Sequence, residues 1–167
     1  MRIDAIRSGG QTGADRGALD AARQAGVPIR GWCPLGGWAE DLTKAPGLLA
    51  RYPELVEAPS ADPIVRTEWN VRDSDATLIV CPGPIAACSG TAATLEFARR
   101  HGKPHYVSDG ADCESVRAWL ESIASNSIDG KGACSGLDLN VAGPRESGSP
   151  GVYGLSRQLI AQLLEEA

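Results

Sequence analysis

The sequence predicts an α/β fold: a mostly parallel sheet of about five strands flanked by helices. Short apolar runs alternate with amphipathic helical patterns along most of the 167 residues. The run ATLIVC at 76–81 is apolar without alternation, as expected for a strand that is covered on both faces. Glycine-rich turns at 8–13, 88–91 and 143–148 each follow a predicted strand and open a predicted helix.

The first half of the chain begins with a predicted strand at 2–7 and a predicted helix at 14–25. The alanines of this helix lie on one narrow face, which permits close packing against a sheet. A second strand is predicted at 27–32. Residues 33–62 then form a long segment rich in Gly and Pro, with only a short helical tendency at 48–55. Because loops of this length are usually functional or mobile, we regard the segment as a candidate lid.

The second half of the chain contains elements with clear ends. A helix is predicted at 63–73, because Pro63 suits a first helical turn, where a missing N–H costs little. A helix at 91–101 ends before Gly102 and Pro104, which are typical of a helix stop. The remaining predicted elements are strands at 105–108 and 137–141 and helices at 113–125 and from Ser149 onward, the last with an apolar i, i+3, i+4 stripe.

Length and charge limit the classes of function. A chain of 167 residues suits a single domain over 1–167. It has 16 Lys and Arg against 21 Asp and Glu, a net charge of -5 that disfavours a nucleic-acid partner. No apolar run in the sequence is long enough for a bilayer, and the five cysteines show no C-x-x-C spacing. We therefore expect a cytoplasmic protein with no membrane partner and no direct Cys or His coordination of a metal.

The glycine-rich turns predict one anion site at the carboxyl edge of the sheet, where α/β proteins bind ligands. Glycine lets the backbone turn tightly and approach a ligand, and the free N–H groups at a helix start attract phosphate-like oxygens. The turn SGGQTG at 8–13 has neither the spacing of the dinucleotide fingerprint nor the Gly-Lys-Ser/Thr of a P-loop. Hydride transfer and NTP hydrolysis are therefore disfavoured. The turn at 88–91 fits an ordinary capped turn almost as well.

Two further features favour the binding of an anion. Arg66 and Asn70 have i, i+4 spacing, so a helix places both on one face. Arg145 can pair bidentately with an oxyanion while Glu146 orients it, and a solvated ion pair explains the two residues equally well. The candidate ligand-binding residues are Ser8, Gly9, Gly10, Thr12, Gly13, Arg66, Asn70, Ser89, Gly90, Thr91, Asn140, Gly143, Arg145 and Glu146.

Five strings in the sequence together resemble one family. They are SGGQTGADRGALDAA at 8–22, GWCP at 31–34, AED at 39–41, RTEWNVRDSDATLI at 66–79 and LNVAGPRES at 139–147. This is the family of proposed molybdenum carriers, also described as the circularly permuted YpsA-related branch of the SLOG superfamily. The resemblance implies a Rossmann-like domain that binds molybdate, molybdenum cofactor or a nucleotide-derived ligand, often as a homo-oligomer. Two positions depart from the family pattern: Gly37 replaces an expected arginine, and CSGT at 88–91 replaces SGGT.

Two functional hypotheses follow. The first is a non-catalytic carrier or sensor that binds a small anionic ligand. The second, suggested by phosphoribohydrolases in the wider superfamily, is an enzyme that cleaves nucleotide 5′-monophosphates, with Glu146, Asp15 or Glu96 as the acid or nucleophile. Those relatives carry a glutamate three residues after a P-G-G-x-G-T motif. The corresponding residue here is Thr94, and the nearest acid, Glu96, is displaced, which favours binding over catalysis.

Overall fold

The computed structural model describes residues 1–126 and 136–165, with the side chain of residue 126 excepted. The strands in these residues are β1 (Ile3–Arg7), β2 (Ile29–Arg30), β3 (Trp32–Cys33), β4 (Val56–Glu57), β5 (Ala76–Val80), β6 (His105–Ser108) and β7 (Leu137–Ala142). The α-helices are α1 (Ala14–Ala25), α2 (Leu48–Arg51), α3 (Pro63–Arg72), α4 (Ser89–Arg100), α5 (Cys113–Asn126) and α6 (Val152–Glu165), and a short 3₁₀ turn covers Ile85–Ala87. Cys134, one of the five cysteines, lies outside the described residues.

The main sheet of the described residues has five parallel strands in the order β2-β1-β7-β5-β6. The central strand is β7, whose Asn140 is in register with Arg7 of β1 and Thr77 of β5. If β7 is counted as the first strand, this order becomes 3-2-1-4-5, that of a doubly wound nucleotide-binding sheet. The connectivity is therefore a circular permutation of that fold. Its switch point, where a ligand crevice is expected, lies between β7 and β5.

The helices form layers on the two faces of the sheet. The packed helices α1, α5 and α6 cover one face, and α3 packs against α4 on the other, as right-handed crossovers require. A Cβ built at Gly17 of α1 would overlap the carbonyl oxygen of Tyr153 in α6. Glycine therefore permits the close approach of these two helices. Strand β5 is buried along its whole length, in agreement with its unbroken apolar sequence.

The fold predicted from the sequence is confirmed, with one difference between β1 and α3. The predicted strand at 27–32 is divided at Gly31, whose φ of 146° suits glycine and whose Cβ would overlap the Ser8 carbonyl oxygen. Beyond this residue β3 leaves the main sheet and pairs in parallel with β4. The segment 33–62 thus contains α2 and β4 and part of a small second sheet. Within the described ranges, none of the helices combines the length and apolar character needed to cross a bilayer.

Candidate functional site

A cleft of about 630 Å³ lies at the switch point of the sheet, over the carboxyl ends of β7 and β5. Its walls come from the β1–α1 turn, from α3, from residues 81–90 including the start of α4, and from the β7–α6 turn. Each of the three glycine-rich turns contributes a glycine to the lining: Gly9, Gly90 and Gly143. The turns predicted to converge therefore meet at one crevice.

The candidate residues divide into two groups by position. Those that line the cleft are Gly9, Arg66, Asn70, Ser89, Gly90, Asn140, Gly143 and Arg145. Those that lie outside its lining are Ser8, Gly10, Thr12, Gly13, Thr91 and Glu146. The residues outside the lining all belong to the three glycine turns, whereas the lining group also includes residues of α3 and β7. The role of both groups in binding stays a prediction.

The β1–α1 turn is joined to the β7–α6 turn by direct contacts. The Ser8 hydroxyl donates to the Val141 carbonyl oxygen at 2.7 Å, which anchors the turn to β7. Gly13 has a φ of 82°, and a Cβ there would overlap the Pro144 carbonyl oxygen. The N–H of Ala14 donates to that same oxygen at 3.2 Å. Ser8 and Gly13 thus hold the two turns together, which explains why they are buried away from the cleft.

Two amides of the turn before α1, and the first amide of α1 itself, are satisfied by protein groups. The N–H of Gln11 donates to Asp15 Oδ2 at 3.4 Å, and the N–H of Thr12 donates to Gln11 Oε1 at 3.1 Å. Together with the Ala14–Pro144 bond, these contacts occupy donors that a helix start otherwise offers to an anion. The α1 terminus therefore shapes the cleft more than it supplies hydrogen bonds to it.

Glu146 caps α6. One carboxylate oxygen accepts from the N–H of Gly151 at 2.5 Å and the other from the N–H of Tyr153 at 2.9 Å. The carboxylate is therefore engaged with the helix start, and the Arg145 guanidinium lies 5.3 Å from the centre of the Trp38 ring. The expected orientation of Arg145 by Glu146 is replaced by a helix cap and a cation–π contact.

The N-terminus of α4 opens onto the cleft. Ser89 and Gly90 form its first turn and line the cavity, and no side chain in the described part of the chain caps it. The Thr91 hydroxyl is instead directed to Cys88 Sγ at 3.0 Å. A twelve-residue helix concentrates partial positive charge at such an end. The start of α3, which also lines the cleft, is capped by the Asp62 side chain. Of the helix starts near the cleft, that of α4 therefore offers the most to an anion.

A buried ion pair lies beside this terminus. Arg66 Nη1 donates to Asp15 Oδ2 at 3.1 Å, and the two side chains are 13% and 5% exposed. Burial raises the pKa of Asp15, against the lowering effect of the neighbouring Arg66 charge. The guanidinium lies directly against Gly9, where a Cβ would overlap Nη1. Gly9 is therefore required for the present position of Arg66.

The two asparagines of the cleft have different surroundings. Asn70 accepts from the Trp32 N–H at 2.8 Å and donates to the Trp32 carbonyl oxygen at 2.9 Å, which ties α3 to β3. Its polar atoms are thus occupied by the backbone. Asn140, on the central strand, donates through Nδ2 to Thr77 Oγ1 at 3.3 Å.

Residues 40 and 41 connect the segment 33–62 to the glycine turns. Glu40 accepts hydrogen bonds from the Thr12 hydroxyl and from Ser147 Oγ, the latter at 2.6 Å. Burial opposes ionisation of Glu40, and the bonds from Ser147 and Thr12 outweigh it, so its pKa is lowered. Asp41 pairs with Arg16 of α1, and this hydrogen bond lowers the pKa of Asp41. Through these contacts the segment 33–62 lies against the glycine turns beside the cleft.

Sequence reasoning missed several residues that line the cleft. They are Gln11, Asp62, Pro63, Ile64, Thr67, Cys81, Gly83, Pro84, Ala87, Cys88, Thr94, Ala142, Pro144, Ser147, Gly148 and Ser149. Most of them adjoin a glycine turn or lie one helical turn from Arg66, so adjacency to the predicted residues was the available signal.

The carboxylates considered for catalysis are dispersed. Glu96 is exposed on α4 and is not part of the cleft lining, and Glu146 caps α6. Asp15 lines the cleft and is engaged by Arg66 and by the Gln11 N–H. In the described ranges no group of three or more His, Cys, Asp or Glu side chains is arranged to hold a metal ion.

A permuted doubly wound sheet with a cleft at its switch point defines a Rossmann-like α/β domain. The model of the circularly permutated YpsA SLOG family matches residues 6–164, and the chain belongs to this family. It is similar to a crystal structure from Syntrophus aciditrophicus SB named "Putative molybdenum carrier protein". The two share 35% sequence identity with a TM-score of 0.78, over 96% of this chain and 95% of the other. A comparison with curated proteins gives no match.

Proposed function

We propose that the protein is a binding or carrier protein for a small oxyanion-bearing ligand, held in the cleft at the switch point. The observation that carries this proposal is the meeting of Arg66, Arg145 and the open N-terminus of α4 at one cavity. Guanidinium groups and helix-start amides are the donors that oxyanions prefer. Because the chain as a whole has a charge of -5, these local groups must provide the attraction.

Molybdate and molybdenum cofactor are the ligands that the similar structure suggests, because that protein's name refers to a molybdenum carrier. Molybdate presents oxygens to its surroundings, so N–H donors suffice to bind it. Arg66, Arg145 and the α4 terminus supply such donors. In this proposal molybdenum is cargo carried inside its oxygen shell. A nucleotide-derived ligand with a phosphate group satisfies the same donors.

Binding is favoured over nucleotide cleavage by the state of the acidic side chains. A general acid or nucleophile needs an oxygen free to reach the substrate. Each carboxylate oxygen of Glu146 accepts an N–H from the start of α6. Asp15 is held in an ion pair with Arg66, and its Oδ2 accepts from Arg66 Nη1 and from the Gln11 N–H. Glu96 lies outside the cleft lining. We therefore assign the proposed role to binding.

Thermal-shift titration with molybdate, tungstate, sulfate, AMP and a pterin phosphate tests the proposal. A ligand at about 100 times its Kd stabilises a protein by about 2.7 kcal/mol, which is readily seen in the melting temperature. We expect Arg145→Ala to weaken this stabilisation, because Arg145 is exposed and its loss should leave the fold intact. The matched control is Arg157→Ala, an exposed arginine of α6 that bonds Gln24. Absence of stabilisation by every compound contradicts the proposal.

A further inference from the structure

Two buried polar atoms of the cleft residues lack hydrogen-bond partners within residues 1–126 and 136–165. They are Arg66 Nε and Asn140 Oδ1. A third such atom, Arg16 Nε, belongs to a residue outside the cleft lining. Buried polar atoms are nearly always paired, so unpaired ones at a cleft indicate groups that a ligand satisfies. The two atoms differ in kind, because Arg66 Nε donates a hydrogen bond and Asn140 Oδ1 accepts one.

The position of Asn140 makes its unpaired oxygen informative. The residue is 2% exposed, lies on the central strand β7 and lines the cleft. Its Nδ2 is committed to Thr77 Oγ1 on the neighbouring strand β5, which leaves Oδ1 as the free branch of the amide. A simple oxyanion such as molybdate or sulfate carries only acceptors and cannot satisfy an amide oxygen.

The size and walls of the cleft agree with a larger ligand. Its volume of about 630 Å³ lies inside the range of roughly 300–1,000 Å³ found for pockets that hold organic molecules. A tetrahedral oxyanion is small on the scale of a single water, which takes up roughly 30 Å³. One such anion therefore fills only a small part of the cleft volume. Parts of the wall are apolar, from Pro63, Ile64, Pro84, Ala87, Ala142 and Pro144. An organic body has surface to bury there, and a bare anion has none.

We infer, building on the proposed function, that the ligand is an organic oxyanion that also carries an N–H or O–H donor, and that Asn140 selects it through that donor. Arg66, Arg145 and the α4 terminus take the anionic group, and Asn140 Oδ1 accepts from the organic part. A free tetraoxyanion occupies the anionic end alone. Asn140 is therefore a specificity-determining residue that separates donor-bearing ligands from those that carry acceptors only.

Pairs of probes that differ by one donor test this inference. Phenyl phosphates with an amino group at the 3 or 4 position are compared with their methyl counterparts of nearly equal size, and with sulfate, by calorimetric titration. We expect at least one amino compound to bind roughly tenfold more tightly than its methyl partner, the effect of pairing a buried acceptor. Equal binding of both members of each pair, or a preference for the methyl compounds, overturns the inference. Failure of every anion to bind overturns the proposed function itself.

Variants locate the selection at Asn140. In Thr77→Val/Asn140→Leu both hydrogen-bonding partners become apolar groups of similar shape, a change that folded proteins tolerate well. We expect this double variant to stay folded, as a cooperative thermal melt shows, and to lose the amino-over-methyl preference. Asn140→Asp keeps an acceptor, so it should keep the preference while its added negative charge weakens sulfate binding. If the double variant retains the preference, Asn140 is not the selecting residue.

Discussion

Gly9 determines where the most buried cationic group of the cleft lies. Arg66 occupies the space that a side chain at position 9 needs, and Asp15 holds it there. The φ of Gly9 lies outside the left-handed region, so an alanine is compatible with the backbone. The conflict is only with the end of a long side chain, which can move.

We therefore predict that Gly9→Ala folds but binds anions poorly. The variant should lose up to about 3 kcal/mol of stability, because displacement of Arg66 also weakens its buried ion pair with Asp15. Displacement of Arg66 should weaken sulfate or molybdate binding roughly tenfold, the scale of a lost charged hydrogen bond. Gly154→Ala in α6 is the control, since a Cβ there meets no atom within 4 Å among the described residues. Calorimetric titration and thermal melts measure both effects, and unchanged anion affinity in Gly9→Ala contradicts the placement.

The buried Asp15 predicts a particular dependence of stability on pH. Burial raises its pKa above the ordinary value of 3.8, so the folded protein holds the proton more tightly than the unfolded chain. This contribution to stability is complete below the unfolded pKa and is lost as the pH rises through the folded pKa. Asp15→Asn removes the titration. We expect the melting temperature of Asp15→Asn, compared with that of the wild type at the same pH, to become higher as the pH rises from about 4 to about 7.

Asp41 provides the matched control with the opposite sign. Its hydrogen bond from Arg16 lowers its pKa, so its contribution is present above the unfolded pKa and is lost as the pH falls through the folded pKa. Asp41→Asn should therefore be less stable than the wild type at neutral pH, with the difference shrinking in acid. Thermal melts from about pH 7 down to about pH 2 compare the two variants, because the Asp41 difference shrinks only below the ordinary pKa of 3.8. If the difference in melting temperature from the wild type changes with pH in the same direction for Asp15→Asn and Asp41→Asn, the assignment of opposite pKa shifts to Asp15 and Asp41 is contradicted.

Among the elements, Glu40 links three segments that are distant in sequence. Its carboxylate bonds Thr12 in the β1–α1 turn and Ser147 in the β7–α6 turn, and its own N–H donates to Gln11 at 3.0 Å. We predict that Glu40→Ala increases hydrogen exchange at 143–149 without unfolding the sheet, because the turn loses its contact to the segment 33–62.

The control for Glu40 is Glu54→Ala. Glu54 also belongs to the segment 33–62, and its ion pair with Arg23 joins side chains that are 40% and 42% exposed. An exposed pair of this kind contributes little, so exchange at 143–149 should stay unchanged. Equal protection of 143–149 in the wild type and in Glu40→Ala would rule out the linking role of Glu40.

The sequence was sufficient to predict the elements whose signals are local. The unbroken apolar run of β5 and the alanine face of α1 each reflect a single packing environment. The small sheet of β3 and β4 was missed because each strand has two residues and pairs across a gap of more than twenty. Division of the predicted strand at Gly31 depends on the approach of Ser8, which is a tertiary contact.

The same distinction applies to the candidate site. The spacing of Arg66 and Asn70 predicted that α3 presents both to one side, and both line the cleft. The role of Asn70 in holding Trp32 could not be predicted, because its partner is in another element. Capping of α6 by Glu146 likewise depends on how the β7–α6 turn closes. Local periodicity predicts which face a residue occupies, whereas its partner depends on the assembled fold.

For the whole molecule, the permuted strand order leads to a test by protein engineering. In a circularly permuted gene, the coding sequence begins at residue 136, a flexible linker joins residue 167 to residue 1, and residues 127–135 come last. This arrangement places β7 first. The Leu137 N–H donates to the Arg2 carbonyl oxygen just before β1, and α6 runs back from the carboxyl end of β7 along α1. Arg2 and the last turn of α6 therefore both lie toward the amino edge of the sheet. We predict that this permutant folds to the same sheet and retains anion binding.

Circular dichroism and thermal melts, followed by titration with sulfate, measure the outcome for the permutant. A matched control joins the same termini with the same linker and opens the chain inside β5, which breaks a fully buried strand. Loss of cooperative melting in the first permutant contradicts the equivalence of the two strand orders. Light scattering on the unpermuted protein tests the predicted homo-oligomer.

Strand β7 also governs the timing of assembly during biosynthesis. Because β7 lies between β1 and β5, the main sheet of a growing polypeptide consists of the separate pairs β2–β1 and β5–β6 until residues 137–142 leave the ribosome. Asn140 and the Arg145 turn are translated with or just after that strand. A nascent chain therefore has no finished cleft, and a ligand of the proposed kind can bind there only after nearly all of the protein has been made.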